Sequence, residues 1–108
     1  MREERKAKRM DKVYTVPQLQ AILSPVFSRY GIRRAVLFGS YGKGTATEKS
    51  DVDLFVDSGL RGLKFVGFLD EVQRTVGKDV DLFDRSHIQA GSRIDREIQS
   101  TGITVYEK

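Results

Sequence analysis

Apolar and polar positions recur along this chain with two different periods, and the places where one gives way to the other divide it into elements. Leu19, Ile22, Leu23, Val26, Phe27 and Tyr30 return every three or four residues, the signature of a helix that buries one stripe. Thr15 is placed to cap its start, Pro17 falls in the first turn where a missing N–H costs nothing, and Gly31 suits its end. Pro25 interrupts the pattern, so a kink or two shorter helical pieces are expected. Leu63, Val66, Leu69, Val72 and Val76 predict a second helix from Leu63 to Val76, closed by Gly77. A short helix from Ser92 to Ile98 turns Ile94 and Ile98 inward and Arg93, Asp95, Arg96 and Glu97 outward.

Between these helices the period falls to two. Ala35 to Phe38 reads as a short buried strand. From Asp51 onward, Val52, Leu54 and Val56 share one face, and Asp51, Asp53, Phe55 and Asp57 share the other. Lys78 to Asp84 repeats the pattern, with Val80 and Leu82 opposite Asp79, Asp81 and Phe83, and Ile103 to Tyr106 ends the chain in extended form. The fold class that follows is α/β: a small mixed β-sheet whose strands centre on Val36, Leu54 and Leu82, with helices packed on one face and acids on the opposite one.

Chemistry concentrates between Ala35 and Asp57. The first strand stops at Gly39-Ser40, where the chain must turn, and Gly39, lacking a Cβ, lets another group approach its backbone. Ser40 offers a hydroxyl and an N–H, a helical turn from Ser40 to Gly44 would aim further N–H groups the same way, and Lys43 adds a mobile cation. Together they suit a phosphate. A polar loop follows, in which Gly42 and Gly44 are expected to give flexibility. Asp51 and Asp53 then lie on one face of a strand with Cα atoms about 7 Å apart, a separation at which two like charges repel unless a cation lies between them. The third strand brings another carboxylate alongside, and spacing alone does not choose between Asp79 and Asp81. Asp84 reads as a turn residue and His87 as a surface residue. Tyr41 either lines the phosphate site or faces solvent.

Composition bounds the rest. With 108 residues and 39% apolar residues the chain makes one domain with one modest core. No apolar run approaches a membrane span and no secretory segment stands near the start. The absence of cysteine excludes disulfides, thiol catalysis and cysteine-bound zinc, and is compatible with a cytoplasmic location. The net charge of +4 is uneven: residues 1–12 hold six basic and three acidic side chains, leaving a body close to neutral. That division sets a basic, solvated extension (1–12) against a folded domain (13–108). A near-neutral body has no basic groove for specific nucleic-acid binding.

The residues Leu37-Phe38-Gly39-Ser40, Gly44 and Ser50-Asp51-Val52-Asp53-Leu54 resemble the DNA polymerase beta-like nucleotidyltransferase superfamily. Within it they resemble the minimal nucleotidyltransferases, the antitoxins of modules with HEPN-type toxins. The likeness spans Pro17 to Tyr106. It implies a catalytic domain only, with any second domain supplied by a partner in a homo- or hetero-oligomer. It points to Asp81, in Val80-Asp81-Leu82, as the third acid. It also implies that Asp51, Asp53 and Asp81 are catalytic and hold two Mg²⁺ ions, and that Gly39, Ser40 and Lys43 bind ATP. Lys43 stands where relatives often carry arginine, replacing a planar fork by a point charge.

The expected function is transfer of AMP from ATP to a hydroxyl of a protein partner, a tyrosine of a HEPN-type toxin encoded beside it. Two further readings stand next to it. A binding module could neutralise the partner by covering it, or nucleotidyl transfer could be directed to a small molecule or an RNA end.

Overall fold

The computed structural model describes residues 13–108, so the basic extension 1–12 lies outside the described residues. The elements are α1 (Val16–Arg29), β1 (Arg34–Phe38), α2 (Gly39–Lys43), β2 (Val52–Asp57), α3 (Leu63–Val76), β3 (Val80–Asp84), a 3-10 turn (Arg85–His87), α4 (Arg93–Thr101) and β4 (Ile103–Glu107). They form a mixed four-stranded sheet in the order β3-β2-β1-β4. β1 runs antiparallel to both β2 and β4, and β2 runs parallel to β3, to which α3 makes the crossover.

Helix α1 begins at a capping box: the Thr15 hydroxyl accepts from Gln18 N–H, and the Gln18 side chain accepts from Thr15 N–H. Pro25 lies inside α1, which continues as one helix to Arg29 rather than dividing. Beyond the Tyr30 cap, Gly31 adopts φ 67°, and Ile32 N–H returns to Phe27 C=O, closing the end.

α1 and α3 cover one face of the sheet. There Leu19, Leu23 and Phe27 meet Ala35, Leu37, Val52, Leu54, Val56, Phe68, Val72 and Val76 in a continuous core. Phe68 packs its ring against Phe27 and Tyr30 at 6.1 and 5.2 Å between centroids. This sets the rotation of α3 and corrects the expected stripe. Phe68, Val72 and Val76 are buried, whereas Leu63 and Val66 are 88% and 57% exposed.

The other face of the sheet carries Val36 and Phe38 on β1, Asp53, Phe55 and Asp57 on β2, and Asp81 and Phe83 on β3. The short helix α4 flanks β1 from this side, bordering a groove of about 440 Å³ lined by Arg34, Val36, Phe55, Ile98 and Gln99.

Candidate active site

Register decides which side chains meet. Phe38, the last residue of β1, lies opposite Asp53, and Asp53 lies beside Asp81, so one row across the sheet reads Phe38, Asp53, Asp81. Neighbouring strands are about 4.8 Å apart, which makes Asp53 and Asp81 adjacent carboxylates. Asp79 precedes β3, and its backbone carbonyl accepts from Val52 N–H. Pairing thus sets Asp81, and not Asp79, beside Asp53.

Because the chain turns directly after Phe38, the next residue comes to rest against Asp53. A Cβ on Gly39 would lie 2.2 Å from Asp53 Oδ2, and Gly39 holds φ +69°, so only glycine fits on both counts. Gly39–Lys43 forms the short helix α2, and Gly44 ends it in the left-handed conformation. Ser40 is partly exposed and Lys43 exposed, both beside this turn. Asp51, exposed, stands immediately before β2.

Asp53 is the electrostatic centre. Burial, then the charges of Asp81 and Glu97, a hydrogen bond shared with Asp81 and the charge of Asp51 raise its carboxyl to about 6. Phe38 and Phe83, 5.7 Å apart between ring centroids, supply an apolar floor on the same face. The adjacent Asp53 and Asp81 carboxylates fit a hard divalent cation, since two such groups held against one another are relieved by positive charge between them. Among the described residues no group of three His, Cys, Asp or Glu side chains is placed to hold a metal ion by itself. An ion here would draw further oxygens from a bound phosphate, as Mg²⁺ commonly does beside nucleotides.

Two side chains of this neighbourhood escaped sequence reasoning. Glu97, expected to face outward, is half-buried and adds to the field on Asp53. Thr101, the last residue of α4, accepts a 3.0 Å hydrogen bond from Gly39 N–H. Gly42 also differs from expectation. It is a contact residue, at which a Cβ would meet the Thr101 carbonyl oxygen at 2.1 Å, rather than a source of flexibility. Nothing in a linear pattern marks these contacts, because α2 and α4 are brought together only by the sheet.

The remaining candidates sort by burial. Tyr41 neither lines the site nor meets solvent: it is 3% exposed and belongs to the core beside Tyr14. His87 is exposed, its ring set edge-on to Phe65. Asp84 is more than a turn residue. Although burial opposes its charge, hydrogen bonds from the hydroxyls and amides of Ser58 and Ser86 hold its carboxyl below the usual range. Asp57, although on the acid face, pairs with Arg33 and Arg85 at 3.0 and 3.3 Å.

The sequence matches the Polymerase beta, Nucleotidyltransferase family over residues 22–108. It is 34% identical over 85 residues to the protein adenylyltransferase MntA of Thermococcus cleftensis, a match that covers 71% of this chain and 84% of that relative. Among solved structures, the fold is similar to a chain of a toxin–antitoxin complex with AMP-PNP, with TM-score 0.70, 19% identity, and 82% of this chain and 73% of that one covered. It is also similar to a chain in the complex of tri-AMPylated Shewanella oneidensis HEPN toxin with MNT antitoxin, with TM-score 0.66, 15% identity, and 86% of this chain and 73% of that one covered.

Proposed function

The chain belongs to the Polymerase beta nucleotidyltransferase family, and on that premise we propose that it transfers AMP from Mg-ATP to a hydroxyl of a protein partner. The partner is a HEPN-type toxin, the acceptor a tyrosine on it, and this chain the antitoxin. The family works on nucleoside triphosphates with a divalent metal. The observation that carries the reading is the contact of Gly39 with Asp53, which sets a phosphate-ready turn against a row of carboxylates with no space for a side chain between them.

Asp51, Asp53 and Asp81 would hold two Mg²⁺ ions, which when bound supply charge neutralisation and a more acidic acceptor hydroxyl. Ser40 offers its hydroxyl and amide to the outer phosphates, and Lys43, exposed in the last turn of α2, reaches them as a point charge. Asp81 takes up the proton of the acceptor hydroxyl. The acceptor oxygen bonds to the α-phosphorus, the bond from that phosphorus to the bridging oxygen breaks in line, and pyrophosphate leaves with the electron pair. Asp53, in the middle of the row, orients both halves of this exchange.

Residues 13–108 constitute the transferase domain, and the family match falls inside them. No helix among the described residues is long and apolar enough to cross a membrane, and a cysteine-free chain that consumes ATP suits the cytoplasm.

The test is the intact mass of the toxin after incubation with the chain, ATP and Mg²⁺. A gain of one or more AMP groups is expected with wild type and none with Asp53→Ala, with circular dichroism confirming that the variant is folded. Equal neutralisation by a chain with all three acids replaced, and no adduct on the toxin, would instead establish a binding module.

A further inference from the structure

The residue that holds the phosphate turn is distant from it in sequence. Helix α2 opens after Phe38, which provides no side-chain cap. An uncapped first turn leaves backbone N–H groups without partners. Thr101 fills that role from α4: its hydroxyl accepts from Gly39 N–H at 3.0 Å and donates to the Glu97 carbonyl at 2.8 Å, so both functions of the hydroxyl are engaged.

The same junction is tight along the backbone. A Cβ on Gly42 would lie 2.1 Å from the Thr101 carbonyl oxygen, and one on Gly102 would lie 2.3 Å from the Ile98 carbonyl and 2.7 Å from Val36 Cγ1. α2 therefore rests on α4, and the end of α4 rests on β1. On its opposite side Gly39 is pressed against Asp53. The turn is clamped between a carboxylate and a hydroxyl. The clamp also constrains Gly39 itself. Its N–H is already bonded, so its contribution to phosphate binding is the space it leaves, and donation passes to Ser40 and the groups that follow.

We propose that Thr101 is a positioning residue of the nucleotide site, fixing the Gly39–Ser40 turn at the offset from Asp53 at which Ser40 and the carboxylates engage the same triphosphate. The inference rests on the nucleotide-transfer reading of this site and adds to it a residue on α4. Removing the hydroxyl while keeping the side-chain shape leaves Gly39 N–H without its Thr101 acceptor and lets the turn shift from its offset to Asp53, which spoils the fit of the outer phosphates and leaves contacts to the nucleoside untouched.

Calorimetric binding of ATP and of AMP by the full chain in Mg²⁺ tests this with Thr101→Val and Thr101→Ser. Thr101→Val is expected to weaken ATP binding about tenfold, the scale of one lost, partly buried hydrogen bond, and to leave AMP binding unchanged. Thr101→Ser restores ATP binding. In toxin modification the same change raises KM for ATP, with kcat held within about twofold. Should Thr101→Val fold poorly, Gly42→Ala, which keeps the hydroxyl but displaces α4, is expected to give the same ATP-selective loss. Wild-type ATP affinity in Thr101→Val, equal loss of ATP and AMP, or failure of serine to rescue would overturn the clamp alone. A wild-type chain that binds neither nucleotide would overturn the nucleotide reading and the clamp with it.

Discussion

Replacing Asp53 by asparagine should make the metal-free protein more stable while removing its activity. The wild-type carboxyl sits at about 6 against an ordinary value of 3.8, a difference of about 2 units, because burial, Asp81, Glu97 and Asp51 all disfavour its charge. At about 1.4 kcal/mol per unit, ionising it in the folded state costs about 3 kcal/mol. Asp53 is only partly buried, so solvent screening reduces this to about 1–2 kcal/mol. Asparagine is nearly isosteric beside Gly39, carries no charge, and can donate to the Asp81 carboxylate. For a domain of this size the gain corresponds to a rise in Tm of about 5–10 °C.

The dependence on pH has a definite sign. A raised folded pKa on an acid penalises the folded state above that pKa and leaves it untouched below the unfolded value. Wild-type stability should therefore fall between pH 3.8 and about 6 through this group and level off above it. Asp53→Asn lacks that limb, so its advantage vanishes near pH 4 and is full at about pH 7. Denaturant unfolding in a chelator across this range measures the difference. Added Mg²⁺ should raise wild type selectively and narrow the gap. An Asp53→Asn protein less stable than wild type at pH 7.5 in chelator would refute the electrostatic account of the site.

Other perturbations separate the remaining parts. Gly39→Ala should lose about 2–3 kcal/mol and all transfer, since its Cβ meets Asp53 and its φ is left-handed; Gly39→Ala/Asp53→Ala should regain part of the stability but no activity in a double-mutant cycle. Asp84→Ala should cost about 2–4 kcal/mol by denaturant unfolding, because four hydrogen bonds from Ser58 and Ser86 lose their acceptor. The stability that Asp84 confers is present above the unfolded carboxylate range and disappears as pH falls through its lowered folded value, so wild type and variant should converge in acid. Leu63→Ala should change stability by less than about 0.5 kcal/mol, whereas Phe68→Ala should cost about 3–5 kcal/mol.

Most strands and helices were legible because a helical or two-residue period, or a short apolar run, marks them, and because Thr15, Gly31 and Gly77 mark helix ends by local chemistry. The meeting of Gly39 with Asp53 was legible in kind, since a glycine before a serine at the end of a buried strand invites close approach. Three features were not, each for its own reason. Helix α3 contains two overlapping apolar series, and only the packing of Phe68 on Phe27 and Tyr30 selects the one that faces inward. Asp79 and Asp81 have the same parity, so their roles depend on a register set by pairing of β3 with β2. Glu97 and Thr101 reach the site because α4 packs beside β1 and α2, a contact between segments separated by about sixty residues with no local signal.

The most direct test of the central claim is label transfer to the HEPN-type toxin from ATP labelled at the α-phosphate, beside ATP labelled at the γ-phosphate, each with Mg²⁺. AMP transfer at this site predicts α-label on the toxin, no γ-label, and neither with Asp51→Ala/Asp53→Ala. Label from the γ-phosphate, or α-label that persists when both carboxylates are gone, would contradict it.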